Sequence, residues 1–210
     1  MNNPWEDIRL QDYENHMRLD SVGQLQAMNA MMREQFAAYP AQTVMILGIA
    51  GGNGLEHAEG MGFSAVYGVD INPRYLQACL ERYPQLQGIL ETVCADLLTE
   101  PLQLPRSDVL IANLLVEYIG YPRFQKTVEV VSPRYVSCGI QINEDDSFVS
   151  DSPYLHVFDR LDEVHHQMEE TALTKAMLQI GYQACLRKEM PLPNGKKLVR
   201  LDFVLNGTDS

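Results

Sequence analysis

Thr43-Val-Met-Ile-Leu-Gly-Ile-Ala-Gly-Gly-Asn-Gly54 is an apolar run that stops abruptly on a cluster of glycines. Residues 43 to 47 are of the types that suit a pleated, buried surface, so a buried strand runs into a tight turn. Glycines at 48, 51, 52 and 54 allow positive φ and let backbone approach a ligand with no Cβ in between. Leu55-Glu-His-Ala then opens a helix whose free N–H groups face whatever sits on the turn. A second apolar strand, Ala65-Val-Tyr-Gly-Val, ends on Asp70, 22 residues after Gly48. That is close to the ~20 residues expected between a nucleotide-binding glycine turn and the carboxylate that accepts from a ribose diol.

Glycine spacing narrows the ligand. A dinucleotide fingerprint needs Gly-x-Gly-x-x-Gly, and Gly52-Asn-Gly54-Leu-Glu-His57 places a histidine where the third glycine belongs, which disfavours NAD. No Gly-Lys-Ser/Thr follows, so a phosphate-binding P-loop is excluded as well.

Four stretches in chain order resemble the class I S-adenosylmethionine-dependent methyltransferases. Gly48-Ile-Ala-Gly-Gly-Asn-Gly54 falls on the family's first motif, and Tyr67-Gly-Val-Asp70-Ile-Asn-Pro on its second. Cys94-Ala-Asp96-Leu matches the pair after strand three, and Asp108-Val-Leu-Ile-Ala-Asn113-Leu-Leu-Val-Glu117-Tyr118 the variable motif after strand four. The resemblance covers roughly residues 40 to 205, and four elements in order are far more specific than one glycine loop. It implies S-adenosylmethionine as cofactor, held by Gly48, Ile49, Ala50, Gly51, Gly52, Asn53 and Gly54 at the first strand tip and Asp70 and Ile71 at the second. Asp96 and Leu97 follow at the third and Asn113 and Leu114 at the fourth. The family's usual acid in the first motif is Gly48 here, and its first glycine is Ala50. The methionine amino group is then left to backbone carbonyls around Gly48, or the cofactor binds weakly.

From Thr43 onward strand and helix signals alternate, with strands near 43–48, 65–69, 88–93, 107–113 and 134–142 and helices near 54–60, 73–82 and 121–131. That is the pattern of an α/β parallel sheet with helices on both faces. A longer crossover follows, an acidic loop from Asn143 to about Asp159 and a helix from Leu161 to Ile180 closed by Gly181. Tyr182–Met190 and Lys196–Leu205 alternate apolar and polar around Pro191-Leu-Pro-Asn-Gly195, as an antiparallel hairpin would. The resemblance implies the same architecture, a Rossmann-like doubly wound seven-stranded sheet whose last pair is antiparallel. All four motifs then fall beyond the carboxyl ends of the strands, where ligands of open parallel sheets bind.

Residues 1–39 read as a helical extension ahead of the nucleotide-binding domain at 40–210. Val22, Leu25, Met28, Met32 and Phe36 recur at helical spacing until Pro40, and Ser21 with Gln24 fits a capping box. Trp5 to Leu19 mixes Tyr13, His16 and Met17 on one side. By the resemblance this piece folds over the methyl group as a lid, which makes Tyr13 and His16 candidate acceptor contacts. His16 and Glu117 are the candidate general bases, with Tyr118 as an orienting wall. The chemistry asks mainly for alignment of donor and acceptor, without a covalent enzyme intermediate.

The balance of the chain limits its partners. With 28 acidic residues against 16 Lys and Arg, its net charge of −12 repels polyphosphates and anionic membrane surfaces. The absence of Asn/Asp-Pro-Pro-Tyr after strand four argues by the resemblance against nucleic-acid bases, so a small-molecule acceptor is expected, with no nucleic acid and no membrane. Cysteines 79, 94, 138 and 185 show no metal or disulfide spacing and read as reduced and buried, and Glu144-Asp-Asp146 lacks calcium-loop spacing, so no metal is expected. The adjacent His165 and His166 read as a solvated helix face, since neighbours on a helix point about 100° apart. No leader or spanning run is visible in the sequence, which points to the cytoplasm. The acceptor and the choice between monomer and homodimer stay open. Rival readings are another adenosyl-ligand enzyme, such as an aminopropyl transferase or a nucleotide-sugar enzyme, and a non-catalytic S-adenosylmethionine-binding protein.

Overall fold

Period-2 burial builds the centre of the molecule. In β1 (Thr43–Leu47), Val44 and Ile46 face one side of a sheet while Met45 and Leu47 face the other, and all four are buried. The computed structural model describes residues 3–99, 102–143 and 148–207. Around β1 lie β2 (Ala65–Asp70), β3 (Leu90–Cys94), β4 (Val109–Asn113), β5 (Tyr135–Ile142), β6 (Tyr182–Pro191) and β7 (Lys197–Leu205) in one seven-stranded sheet of order β3-β2-β1-β4-β5-β7-β6. β1 pairs in parallel with both β2 and β4, so the winding reverses there. β7 runs antiparallel between β5 and β6, which makes the C-terminal hairpin the sheet's second edge. The fold is the expected doubly wound one.

The helices are α1 (Pro4–Asp7), α2 (Leu10–Arg18), α3 (Gln24–Ala38), α4 (Pro73–Arg82), α5 (Val116–Val131) and α6 (Glu170–Gln179), of which α3 to α6 pack against the sheet. Pro73 at the first position of α4, with Asn72 Oδ1 accepting from Arg74 N at 3.1 Å, starts that helix where the sequence places it. α3 contributes Met32 and Phe36 to the same apolar layer as Val44, Ile46 and Leu55. α5 is two helical pieces, because Gly120 takes φ 71° and ψ 163° and Pro122 lacks an N–H to continue the ladder. The expected helix at 121–131 is the second piece. The first turn carries Glu117 and Tyr118.

Four local expectations differ from the structure. Ser21 and Gln24 form no capping box: α3 starts from Gly23 at φ 66° without a side-chain cap, and the Gln24 amide instead donates to Gln141 Oε1. The helix at 54–60 shrinks to a 3-10 turn, Leu55–Ala58, because α3 already fills that space and a Cβ on Gly54 would stand 2.6 Å from Met32 Cβ. The helix from Leu161 to Ile180 is broken into a 3-10 turn, Leu155–Glu163, an extended piece, and α6. Met168 is drawn into the core and His166 N–H is taken by Glu117 O at 2.7 Å, so residues between cannot keep a helical ladder. The cysteines are not all buried: Cys79 and Cys138 are, while Cys94 is exposed at the end of β3 and Cys185 at a register shift in the edge strand β6. Residues 144–146 lie outside the described residues.

Candidate functional site

Asp70 ends β2 with its carboxylate turned inward at 9% exposure. Oδ2 accepts from Ala50 N at 2.9 Å and Oδ1 from Asn72 N at 2.9 Å, so one side chain fixes both the glycine turn and the start of α4. Burial raises its pKa, partly opposed by N–H donors from Asn72, Ala50 and Ile71. The turn is equally constrained. Gly48 and Ile49 donate to Val69 O at 2.8 and 3.1 Å, Ala50 sits at φ 49°, and Gly52 at φ 83° has no room for a Cβ, which would meet Cys79 Sγ and Tyr83 Cε2 at 2.8 Å.

Beyond these strand tips lies a cavity of about 680 Å³. Gly48, Ala50, Asp70, Ile71, Asp96, Leu97, Asn113 and Leu114 line it together with Tyr13 and Tyr118. Asp96 Oδ1 caps its own loop by accepting from Leu98 N at 2.9 Å. Asn113 turns its amide away into the core, exchanging hydrogen bonds of 2.9 and 2.8 Å with Gln35. Leu114 is held at φ 51° while its N–H donates to Gly139 O at 2.7 Å. Ile49, Gly51, Gly52 and Asn53 are not on this cavity. They line a smaller space of about 510 Å³ between the turn and α3, with Asn53 donating to Leu25 O at 2.9 Å, and Gly54 is packed under Met32.

The chain's N-terminus closes the mouth. Asn72, Arg74 and Tyr75 hold its backbone by donating to the carbonyls of Trp5, Glu6 and Ile8 at 3.0, 2.6 and 2.9 Å. Arg82 grips Glu14 of α2 and also reaches Gly51 O at 3.3 Å. Trp5 and Tyr13 thereby stand in the wall between the first cavity and a second of about 520 Å³.

The second cavity gathers His16, Glu117, Tyr118, Gln141, Phe158 and His165. Glu117 is buried at 3% exposure. Its Oε1 accepts from Gln141 N at 2.9 Å, and Oε2 has no hydrogen-bond partner among the described residues. Burial pushes its pKa up to about 7. His16 Nδ1 lies 2.8 Å from Ser152 Oγ, and burial, then Lys196, lower its pKa. His165 stacks on Phe148 with centroids 3.8 Å apart, and burial, then His166, depress it to about 4. It therefore walls a cavity instead of facing solvent from a helix, the helix being absent there. Tyr13 and Tyr118 keep their protons, since burial raises both far above the ordinary phenol value. Among the described residues no three His, Cys, Asp or Glu side chains could hold a metal ion together.

The four expected catalytic candidates are thus neighbours on one cavity. Sequence reading missed Trp5, Gln141, Phe158 and the orphan status of Glu117, because contacts over such separations leave no local pattern. Only the rarity of a single tryptophan singles out Trp5.

Residues 46–132 match the family model described as a methyltransferase domain. That stretch, less than half of the chain, is similar to a methyltransferase domain, which uses S-adenosylmethionine as its cofactor. The methyltransferase fold extends over nearly the whole chain. Magnesium protoporphyrin IX methyltransferase (ChlM) from Synechocystis PCC 6803, with bound S-adenosylhomocysteine, superposes with TM-score 0.68 at 13% identity, over 93% of this chain and 94% of that one. The N-methyltransferase NodS from Bradyrhizobium japonicum WM9 gives 0.66 at 11% identity, over 94% and 98%. The methyltransferase domain of bacterial CtHen1-C gives 0.63 at 16%, over 95% and 100%. These structures share the fold, and no curated protein matches the chain in sequence. No helix of the described residues is long and apolar enough to cross a membrane.

Proposed function

We propose that this methyltransferase acts on a small-molecule acceptor seated in the second cavity, with the donor held in the first. The observation that carries the reading is the shared wall: Trp5, Tyr13, Leu114 and Tyr118 line both spaces, so donor and acceptor sites adjoin across these side chains. The first cavity suits the donor. Asp70 retains an unused lone pair on each oxygen for the ribose diol, Leu97 and Ile71 offer apolar surface to the purine, and Asp96 an acceptor for its amine. Its methionine ammonium falls to carbonyls around Gly48, because Asp70 serves the ribose and Glu14, beside Gly51, is engaged by Arg82. When bound, S-adenosylmethionine supplies a sulfonium methyl open to in-line attack.

The chain's own residues then position the acceptor and receive its proton. Water is kept out by α1 and α2, the lid portion of residues 1–39, whereas α3 belongs to the core. Glu117 is the better base of the two candidates, since it lines the cavity with one buried oxygen unpartnered among the described residues, while His16 is tied to Ser152. The acidic net charge of −12 supports a small, non-nucleic acceptor. Calorimetry with adenosylhomocysteine, followed by turnover on a panel of amines, phenols and acids, tests the reading. Binding plus turnover is expected, and binding without any turnover would favour a non-catalytic role.

A further inference from the structure

We propose that the acceptor is a protonated amine carried on a flat or compact apolar body, recognised by the free oxygen of Glu117 inside a ring of aromatic side chains. The inference rests on the methyltransferase reading for the identity of the reaction, but not for the recognition itself. Its first support is the orphan: Glu117 lines a largely apolar cavity, and its buried Oε2, without a hydrogen-bond partner among the described residues, is costly unless a ligand supplies one. The second is the wall. Trp5 meets Tyr13 edge-on with centroids 5.6 Å apart and Tyr118 at 4.9 Å, Tyr118 meets His165 at 5.8 Å, and His165 stacks on Phe148. Aromatic faces attract cations and do nothing for anions.

The third support is what the lining lacks. No Lys or Arg is among the described residues lining the cavity, so an acceptor carboxylate or phosphate finds no counter-charge there. His16 and His165 share the lining with Glu117, have lowered pKa values and are neutral at pH 7, and Tyr13 and Tyr118 are neutral too. Lys196, which has partners of its own, acts on both histidines from outside the lining. Among the described residues of the lining, Glu117 is therefore the one group that carries charge near neutral pH.

The step balances without any further reagent. The bound ammonium passes one proton to Glu117 Oε2, which leaves a neutral nitrogen with its lone pair. That lone pair forms the nitrogen–carbon bond as the methyl carbon–sulfur bond breaks, and the electron pair of the broken bond stays on sulfur. The positive charge moves from sulfur to nitrogen, and Glu117 later releases its proton to solvent. An amine thus enters and leaves as a cation, the state that the aromatic wall favours, and is neutral only for the attack.

Trp5, the only tryptophan of the chain, lies on the cavity wall and reports binding by its fluorescence. The full chain is titrated at pH 8 with benzylamine, benzyl alcohol and benzoate, three probes with the same ring. Benzylamine is expected to bind at least about tenfold more tightly than the alcohol, with no binding of benzoate. Glu117→Gln should bring the amine down to the alcohol's affinity and leave the alcohol unchanged. In the unsubstituted chain, amine affinity should fall below pH 7, where Glu117 becomes neutral. Equal binding of amine and alcohol, no binding of benzylamine, or a preference that survives Glu117→Gln overturns the proposal. If Glu117→Gln does not fold, Tyr118→Leu takes its place: it should weaken the amine more than the alcohol, and an equal loss for both counts against. Adenosylhomocysteine is titrated separately. Binding of it without amine preference removes this inference alone, whereas failure to bind it removes the donor site and leaves the fluorescence result standing.

Discussion

The Asp70 carboxylate accepts the N–H of Ala50 at 2.9 Å, which ties the tip of β2 to a turn residue held at φ 49°. This bond precedes any role in binding sugar, since the turn's shape depends on it. Asp70→Ala should lose about 1 to 3 kcal/mol of stability, as two backbone donors are left facing a smaller side chain. Adenosylhomocysteine affinity should fall by at least about tenfold beyond that. Melting and calorimetry on the same variant separate the two effects, and wild-type melting would mean that the turn holds its shape without the carboxylate.

Glu117 links stability to pH in a direction opposite to that of a salt-bridged carboxylate. Its folded pKa is raised from 4.5 to about 7, so between those values the native state holds more protons than the unfolded chain. Stability therefore falls as pH rises through this window and levels off above pH 7. Glu117→Gln should remove that slope and raise stability at pH 8 by on the order of 3 kcal/mol, with little gain at pH 4. Chemical denaturation at pH 4, 6 and 8 checks it.

Gly139 lies where β5 passes beneath α3. An added Cβ would stand 2.7 Å from Asn113 Oδ1 and 2.8 Å from Met31 Sδ. Gly139→Ala should cost about 1 to 3 kcal/mol by overpacking, and it should disturb the Asn113–Gln35 pair. A thermal shift close to zero would show that α3 can move away freely.

Arg82 fastens α2 to the glycine turn through Glu14 and Gly51. Its side chain is 43% exposed, so the pair contributes modestly to overall stability. Arg82→Ala should instead loosen α2, raising hydrogen exchange across residues 10–18 while the sheet amides stay protected. Equal protection of α2 in variant and wild type would mean that the helix is held from elsewhere.

Much of this was legible in the chain. The strand ending at Gly48, the acid at Asp70 and the parallel alternation all follow from local chemistry: which residues tolerate positive φ, which suit a pleat, and which start a helix. The expected helix through His165 and His166 was not, because its residues are helix-compatible on their own. It is unwound by Met168 entering the core and by the Glu117 carbonyl taking an N–H. The same holds for Ser21, whose cap is displaced by Gly23 and by the pairing of Gln24 with Gln141 across 117 residues.

The sequence by itself determined the doubly wound sheet and the placing of the glycine turn and Asp70 at neighbouring strand tips, since both rest on period-2 burial and on glycines and acids at fixed short separations. The tertiary structure alone decided that Trp5, Tyr13, Glu117 and His165 share one cavity, and that one oxygen of Glu117 is left without a partner there. Burial and hydrogen-bond satisfaction are properties of a packed volume. They depend on residues more than a hundred positions apart, which no local pattern encodes.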